Sequence, residues 1–253
     1  MITEQDFFFS ENEVKTVNED LYNRLELLIR STEAMARSLY QSVYLIDYYK
    51  KGFLFVSDNP SFLCGRTAKE VQEMGYSFYM SNVPEEDQKM LVEINSNGFK
   101  FYEDKITSED KYRCYITYDF HLINQSGKKV LVNHKLTPVQ MTPDGRIWIA
   151  LCVVSLSSKK KAGNVEFHIQ GIPRYWSYSF ESHSWKPQEK VELKPEEKQV
   201  LTLSSQGYTM NEIADKMCRS VDSVKFYRRN LFERLEVKNI TEALSYSAIY
   251  KLL

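Results

Sequence analysis

Basic side chains are concentrated in a short segment near the C-terminus. Between Lys216 and Arg229 there are five basic residues and a single acidic one, Asp222. On a helix with 100° per residue, Lys225 and Arg229 lie one turn apart on the face opposite Val224. Lys and Arg at that spacing can enter a major groove together and donate hydrogen bonds to N7 and O6 of guanine. The segment therefore has the local charge expected of an element that contacts duplex DNA.

Other side chains of the same helix suit different contacts with DNA. Phe226 points outward although it is apolar, and contact with a thymine methyl group is one use for such a side chain. Ser223, Tyr227 and Arg228 lie on the flanks of the outward face, where they would reach phosphates on either side of a groove. A solvated amphipathic helix with a basic face is the alternative that these residues leave open.

The elements that must position these side chains are four helices predicted within 193–253. The first begins at Pro195, with acidic residues in its first turn. Thr209 caps the second, and Glu212 is its capping-box partner three residues on. A short turn at about 218–220 leads to the third helix, whose inward stripe consists of Val224, Leu231 and Leu235. Two short helices joined so tightly are typical of a helix-turn-helix.

A set of residues runs through this whole segment: Leu193, Glu197, Val200, Leu201, Gly207, Asn211 to Ala214, Ser220, Ser223 to Lys225, Tyr227, Leu231, Leu235, Val237, Glu242 and Ala243. In these residues 193–253 resembles the LuxR-type helix-turn-helix domain. The resemblance implies that the third helix is a recognition helix and that part of a dimer interface lies on the last helix. The base contacts it implies come from Lys225, Phe226 and Arg229, and the phosphate contacts from Asn211, Ser223 and Tyr227.

Two residues depart from the LuxR-type pattern. Arg219 stands where the family usually has an aliphatic side chain, and it is either an extra phosphate contact or a local defect in the core. Tyr227 stands where histidine is more frequent, but its hydroxyl should still reach a phosphate.

From 43 to 157 the pattern changes to short runs rich in β-branched and aromatic residues. Five strands are predicted there, at 43–47, 53–57, 115–124, 129–141 and 146–156. The long stretch between the second and third contains helical segments at 68–73 and 85–94, and Asn59-Pro60 marks a helix start. Turn residues at 125–128 and 143–145 join the last three strands. The predicted order is two strands, a helical excursion and an antiparallel three-strand meander.

That order resembles the PAS domain, a sensor and dimerisation module. The resemblance is carried by Asn59, Gly65, Glu70, Gly75, Val83 to Asp87, Gly127, Thr137-Pro138 and Asp144-Gly145. The predicted chain is therefore α+β, with a PAS-like sensor domain at 41–160 followed by the all-α domain at 193–253. A linker with a β-hairpin is predicted at 161–192. The aromatic residues of that hairpin, Tyr175, Trp176, Tyr178, Phe180 and Trp185, either stack on bases or belong to a core or interface.

A helical segment is predicted at 1–40, with apolar residues at heptad spacing. The seam consists of Leu21, Leu25, Leu28, Thr32, Met35 and Leu39. It spans fewer than four heptads, so it either docks on the next domain or pairs with a second chain in a coiled coil.

Composition and motifs exclude several other classes of protein. The four cysteines include no CxxC pair, so neither a disulfide framework nor a zinc site is indicated. The net charge of −1 divides into +2 from Leu193 onward and −3 before it. No apolar stretch approaches the roughly 18 residues of a membrane span, and the start lacks a secretory signal. We expect a cytoplasmic, homodimeric transcription regulator that binds duplex DNA and has no membrane partner.

An enzyme is not indicated. No HExxH or nucleophile-elbow pattern includes any of the four histidines, of which His121 and His134 lie on predicted strands and His168 and His183 in the predicted linker. The rival hypothesis is a haem- or flavin-bound sensory protein whose output is protein contact. His121 or His134 would ligate the haem, while Cys64 lacks the motif of a photoreactive flavin cysteine. We expect no cofactor, and a small-molecule ligand of the PAS-like domain stays open.

Overall fold

The computed structural model describes residues 2–250 and 252, and the chain divides into two compact units. The first unit ends at Gln188 and the second begins at Glu189. No helix in the part of the chain that is described combines the length and hydropathy needed to cross a bilayer.

The first unit is built on a sheet of eight strands within the described residues. These are β1 (Ser42–Asp47), β2 (Gly52–Val56), β3 (Cys114–Ile123), β4 (Lys129–Met141), β5 (Ile147–Leu156), β6 (Gly163–Ile169), β7 (Arg174–Ser179) and β8 (Ser184–Glu189). Their order across the sheet is β2-β1-β5-β4-β3-β6-β7-β8. Neighbouring strands from β2 across to β7 run antiparallel, and Tyr118 of β3 lies opposite His134 of β4.

Helices lie before β1 and between β2 and β3. These are α1 (Glu19–Asn23), α2 (Leu25–Ala36), α3 (Pro60–Leu63), α4 (Ala68–Met74), α5 (Ser77–Asn82) and α6 (Glu85–Lys105). Asn59 caps α3 by accepting a hydrogen bond from the Ser61 amide, and Pro60 is the first helical residue. The five predicted strands, the helical excursion between the second and third and the antiparallel meander are confirmed. This is the order of elements in which the sequence resembles the PAS domain.

The sheet continues beyond the five predicted strands, because β6, β7 and β8 lie within the segment 161–192 that was predicted as a linker with a β-hairpin. Strand β6 pairs with β3, and Phe167 lies opposite Ile116. The side chains of Val165, Phe167 and Ile169 are buried in the main core, which explains why this run forms a strand. The hairpin of β7 and β8 lies where the sequence predicts one, and its Trp176, Tyr178, Phe180 and Trp185 pack against the same core.

Helix α6 is longer than the predicted segment at 85–94. Three acidic residues occupy its first turn, in agreement with the sequence. Beyond Ile94, the inward face continues with Phe99, Phe101 and Tyr102, which are buried against the sheet and extend the helix. A Cβ atom at Gly98, inside this helix, would meet Ile116 Cδ1 at 2.9 Å, so the Ile116 side chain would have to shift.

Helices α1 and α2 cover the opposite face of the sheet. Leu25 belongs to a second core cluster with Leu45, Trp148 and Ile149. The Tyr22 hydroxyl donates to Asp47 Oδ2 at 2.7 Å, which fastens α1 to the end of β1. The first half of the heptad seam therefore docks on its own domain.

The second unit contains only helices in its described part: α7 (Pro195–Ser205), α8 (Met210–Met217), α9 (Val221–Leu235) and α10 (Ile240–Tyr250). Leu201, Leu231, Leu235 and Ala243 form one buried cluster, which joins α7, α9 and α10. Val200, Ile213, Ala214 and Val224 form another, which joins α7, α8 and α9. The four predicted helices are confirmed.

Candidate nucleic-acid interface

Local hydrogen bonds fix the angle at which α9 leaves α8. Thr209 and Glu212 form the predicted capping box at the start of α8. Cys218 ends α8 in the left-handed conformation, with φ of 52°, and the next amide, that of Arg219, donates to Ala214 O at 3.0 Å. Ser220 then caps α9 by accepting from the Ser223 amide at 3.2 Å. Three residues therefore join α8 to α9, and the two helices form a helix-turn-helix.

Helix α9 buries one stripe and leaves the opposite face free. Val224 and Leu231 are fully buried and Leu235 is nearly so, which confirms the predicted inward stripe. The base-contact set predicted from the sequence, Lys225, Phe226 and Arg229, is exposed on the outward face. Half of the Phe226 surface is exposed, which is unusual for an apolar side chain and leaves its ring available to a partner.

In the free protein the outward side chains pair along their own helix. Lys225 Nζ lies 3.1 Å from Asp222 Oδ1. The Arg229 guanidinium lies 5.4 Å from the Phe226 ring and 3.9 Å from Glu233 Oε1. Exposed ion pairs of this kind contribute about 0–1 kcal/mol, so DNA can displace them at little cost.

The predicted phosphate-contact set consists of Asn211, Ser223, Tyr227 and Arg228. Asn211 is exposed in the first turn of α8, while the other three lie on α9 and are half-buried. The Ser223 hydroxyl lies 2.9 Å from the Ser220 hydroxyl, and the Arg228 guanidinium lies 5.1 Å from the Phe232 ring. Arg219 is exposed, so it is not a defect in the core.

One ion pair of this unit was not predicted from the sequence. Glu197, at the start of α7, is 1% exposed and accepts from Arg234 Nε at 2.9 Å, near the end of α9. The same carboxylate accepts from the Lys194 amide at 2.9 Å and so also caps α7. The pair fastens the far end of α9 to the first helix. The two residues are too far apart in sequence for any local pattern to connect them.

Replacing Arg234 with leucine should destabilise the second unit, because the Glu197 carboxylate would remain buried without its cation. Breaking a buried pair typically costs 3–5 kcal/mol, and since Arg234 is about one-third exposed we expect a loss of about 2 kcal/mol. Urea unfolding followed by circular dichroism measures this loss. The double variant Glu197→Gln with Arg234→Leu should recover part of it, and a double variant no more stable than Arg234→Leu would contradict this account.

The core of the first unit also contains a cluster of buried polar groups. The Tyr44 hydroxyl lies 2.6 Å from His134 Nε2 and 2.5 Å from the Tyr79 hydroxyl. Burial lowers the pKa of His134 to about 3 and raises that of Tyr44 well above its ordinary value. His134 Nδ1 has no hydrogen-bond partner among the described residues.

Two small cavities lie beside this cluster. Their volumes are about 30 and 20 Å³, and Tyr118, whose ring is 4.7 Å from that of His134, lines both. A cavity of this size holds one or two water molecules, since a water needs roughly 10–15 Å³. A larger ligand would have to displace core side chains.

The residues named for haem or flavin have other surroundings in this fold. His121 Nδ1 lies 2.9 Å from Asp87 Oδ2, and the same carboxylate oxygen accepts from the His121 amide. Burial raises the pKa of the Cys64 thiol to about 11, which keeps it protonated. In the described part of the chain, no three His, Cys, Asp or Glu side chains are grouped as metal ligands.

Comparison with known proteins bears on the second unit. Residues 192–247 match the family described as bacterial regulatory proteins, luxR family. This unit is a LuxR-type domain. The match spans α7, α8 and α9 entire, so the helix predicted from the sequence to be the recognition helix lies within it. The prediction of a DNA-binding regulator of transcription is thereby confirmed.

Solved structures also resemble the chain. The phage VqmA–DPO complex is 14% identical, with 92% of this chain and 91% of that chain covered and a TM-score of 0.33. The Vibrio cholerae VqmA dimer is 13% identical, with 90% and 86% covered and a TM-score of 0.34. A PAS domain of a Colwellia psychrerythraea protein is 11% identical, with 54% and 99% covered and a TM-score of 0.37. No curated protein sequence matches.

Proposed function

We propose that the chain is a homodimeric, sequence-specific transcription regulator that inserts α9 of its LuxR-type domain into the major groove. The observation that carries this proposal is the outward face of α9, where Lys225, Phe226 and Arg229 are exposed together on a helix fixed by a tight turn. In this role these three side chains contact bases. The phosphate contacts come from Asn211, Ser223, Tyr227 and Arg228. A regulator of bacterial genes that binds in this way works in the cytoplasm.

Selection of bound fragments from genomic DNA tests this proposal directly. The full chain should enrich a set of fragments that share a two-fold symmetric motif, with half-sites about 10 base pairs apart or a multiple of that. The double variant Lys225→Ala with Arg229→Ala should lose the enrichment. Lys198→Ala is the matched control, because Lys198 is an exposed lysine on α7 outside the recognition helix. Enrichment of the same fragments by the double variant would contradict the assignment of α9.

We further propose that the PAS-like unit is the sensor of this regulator. The polar cluster of Tyr44, Tyr79 and His134 supports a small organic ligand with hydrogen-bonding groups rather than a purely apolar one. The ligand would have to open the core, because the present cavities are the size of water molecules.

Freshly purified full-length protein should be colourless. His134 is buried beside cavities that hold only one or two water molecules, so a haem could not reach its ring without rearrangement of the core. The absorption spectrum between 350 and 700 nm checks this expectation. About one bound chromophore per chain would contradict it. Such a chromophore would reopen His121, His134 and Cys64 as functional residues.

A further inference from the structure

Helix α2 has an exposed apolar stripe in addition to the face that it buries on the sheet. With Leu25 at 0° and 100° per residue, the buried Thr32 lies at 340°, on the sheet side. A different sector, from 180° to 280°, holds Leu27, Ser31, Ala34 and Met35, all of them exposed. Leu27 is 74% exposed and Met35 54% exposed, so this stripe carries large apolar side chains that the fold itself does not cover.

The charged residues of α2 lie on one flank of this stripe only. Glu26, Arg30, Glu33 and Arg37 fall between 80° and 140°, and their signs alternate along the helix. They pair within the chain as Glu26 with Arg30 at 2.7 Å and Glu33 with Arg37 at 3.1 Å. All four side chains are more than half exposed, so each can reach a second partner.

We propose that the stripe of α2 is a dimer interface, occupied by the same stripe of a second copy in antiparallel orientation. A two-fold axis beside Ser31 and perpendicular to the helix places Leu27 of one copy against Met35 of the other. Small residues at Ser31 and Ala34 allow the two helices to approach closely. This inference rests on the dimer of the proposed function and names the surface that forms it.

The charges select a second copy and the antiparallel orientation. In the antiparallel arrangement the two charged flanks meet on the same edge of the helix pair, and residues whose numbers are symmetric about 31–32 face each other. Glu26 then faces Arg37, and Arg30 faces Glu33, so every contact joins opposite signs. In a parallel pair the charged flank of one helix would face the sheet side of the other. The charge pattern of α2 is therefore complementary to itself when reversed.

Other exposed apolar residues follow α2 in the chain or lie at the end of β5. Leu39 and Tyr40 follow α2 and are 39% and 71% exposed, and Leu156 at the end of β5 is 64% exposed. Because Ser42 lies opposite Val154 in the sheet, Tyr40 and Leu156 lie at the same end of these strands. The second half of the heptad seam, Met35 and Leu39, thus belongs to the proposed interface.

Charge reversal in the full chain tests the interface. Arg30→Glu alone and Glu33→Arg alone each set like charges against each other across the interface, and each should raise the Kd of dimerisation about tenfold in sedimentation equilibrium. The double variant restores opposite charges between copies and should return the Kd to within about threefold of the parent value. It also loses both pairs within the helix. If these charges only stabilised α2 within its own chain, the double variant would form the weakest dimer. That result would overturn the proposal.

Cysteine cross-linking tests the orientation. In a Cys218→Ser background, which removes the exposed native thiol, Leu27→Cys protein mixed with Met35→Cys protein should form a disulfide-linked pair on mild oxidation. Leu27→Cys protein alone should not. Self-cross-linking of Leu27→Cys would mean a parallel pair and would overturn the antiparallel assignment, as would a parent protein that stays monomeric.

Binding to a single half-site, measured with the same variants, separates this inference from the proposed function. If the protein binds DNA and no α2 variant changes the Kd of dimerisation, the proposed interface is refuted and the proposed function is not. A dimer with the expected charge dependence that binds no DNA would refute the proposed function alone.

Discussion

Lys225→Ala and Arg229→Ala should each weaken binding to the preferred DNA site by about 1–3 kcal/mol per copy of α9, because each would remove a proposed hydrogen-bonding contact to a base edge. The parent side chains first give up weak partners on their own helix, Asp222 for Lys225 and Glu233 for Arg229. Those pairs contribute about 0–1 kcal/mol, so the contact with the base dominates the result. Each variant should also lose discrimination at one base pair.

Fluorescence anisotropy with preferred and scrambled duplexes, repeated at several salt concentrations, measures both effects. Circular dichroism is the folding control, since none of these side chains belongs to the buried stripe of Val224, Leu231 and Leu235.

Arg228→Ala is the matched comparison on the same helix. If its guanidinium contacts a phosphate, affinity should fall almost equally on both duplexes, and the log-log salt slope should shrink by about 0.9 for each phosphate that is no longer neutralised. If the Lys225→Ala and Arg229→Ala variants fold and bind both duplexes as the parent does, α9 is not the helix that recognises the base sequence.

The LuxR-type domain could be predicted closely because its signals are local. The capping box of Thr209 and Glu212 and the proline at the start of α7 each act within one turn of helix. The inward stripe of α9 follows from helical periodicity alone. Side chains that must point outward are then fixed by geometry, so the candidate base contacts could be named before the fold was known.

Features that depend on distant residues could not be predicted in the same way. The Glu197 and Arg234 pair joins the two ends of the domain, and the bond from Tyr44 to His134 joins strands that are far apart in sequence. Strand β6 was missed because its short alternating run follows a lysine cluster that resembles a linker, and only the free edge of β3 makes it a strand. The heptad seam divides between two uses, since its first half docks on the sheet and its second half is exposed.

His134 makes the stability of the first unit dependent on pH. His134 is fully buried, and burial lowers its pKa from 6.5 to about 3 in the folded state. The unfolded chain binds a proton near pH 6.5, whereas the folded chain does not until the pH is far lower. The stabilising effect of the neutral ring is therefore complete above pH 6.5 and is lost as the pH falls from 6.5 towards 3.

Between pH 6.5 and 4.5, the free energy of unfolding should fall by about 2 kcal/mol from this histidine alone. Urea unfolding of the full chain at several pH values, followed by the near-ultraviolet signal of the aromatic core, measures the fall. His134→Gln should remove this part of the pH dependence, because glutamine can still bond to Tyr44 and does not titrate. His183→Gln is the matched control for replacing a histidine with glutamine, since the His183 side chain is exposed in the turn between β7 and β8. If His134→Gln follows the parent curve over this range, the proton is taken up elsewhere and His134 is not the group that destabilises the core in acid.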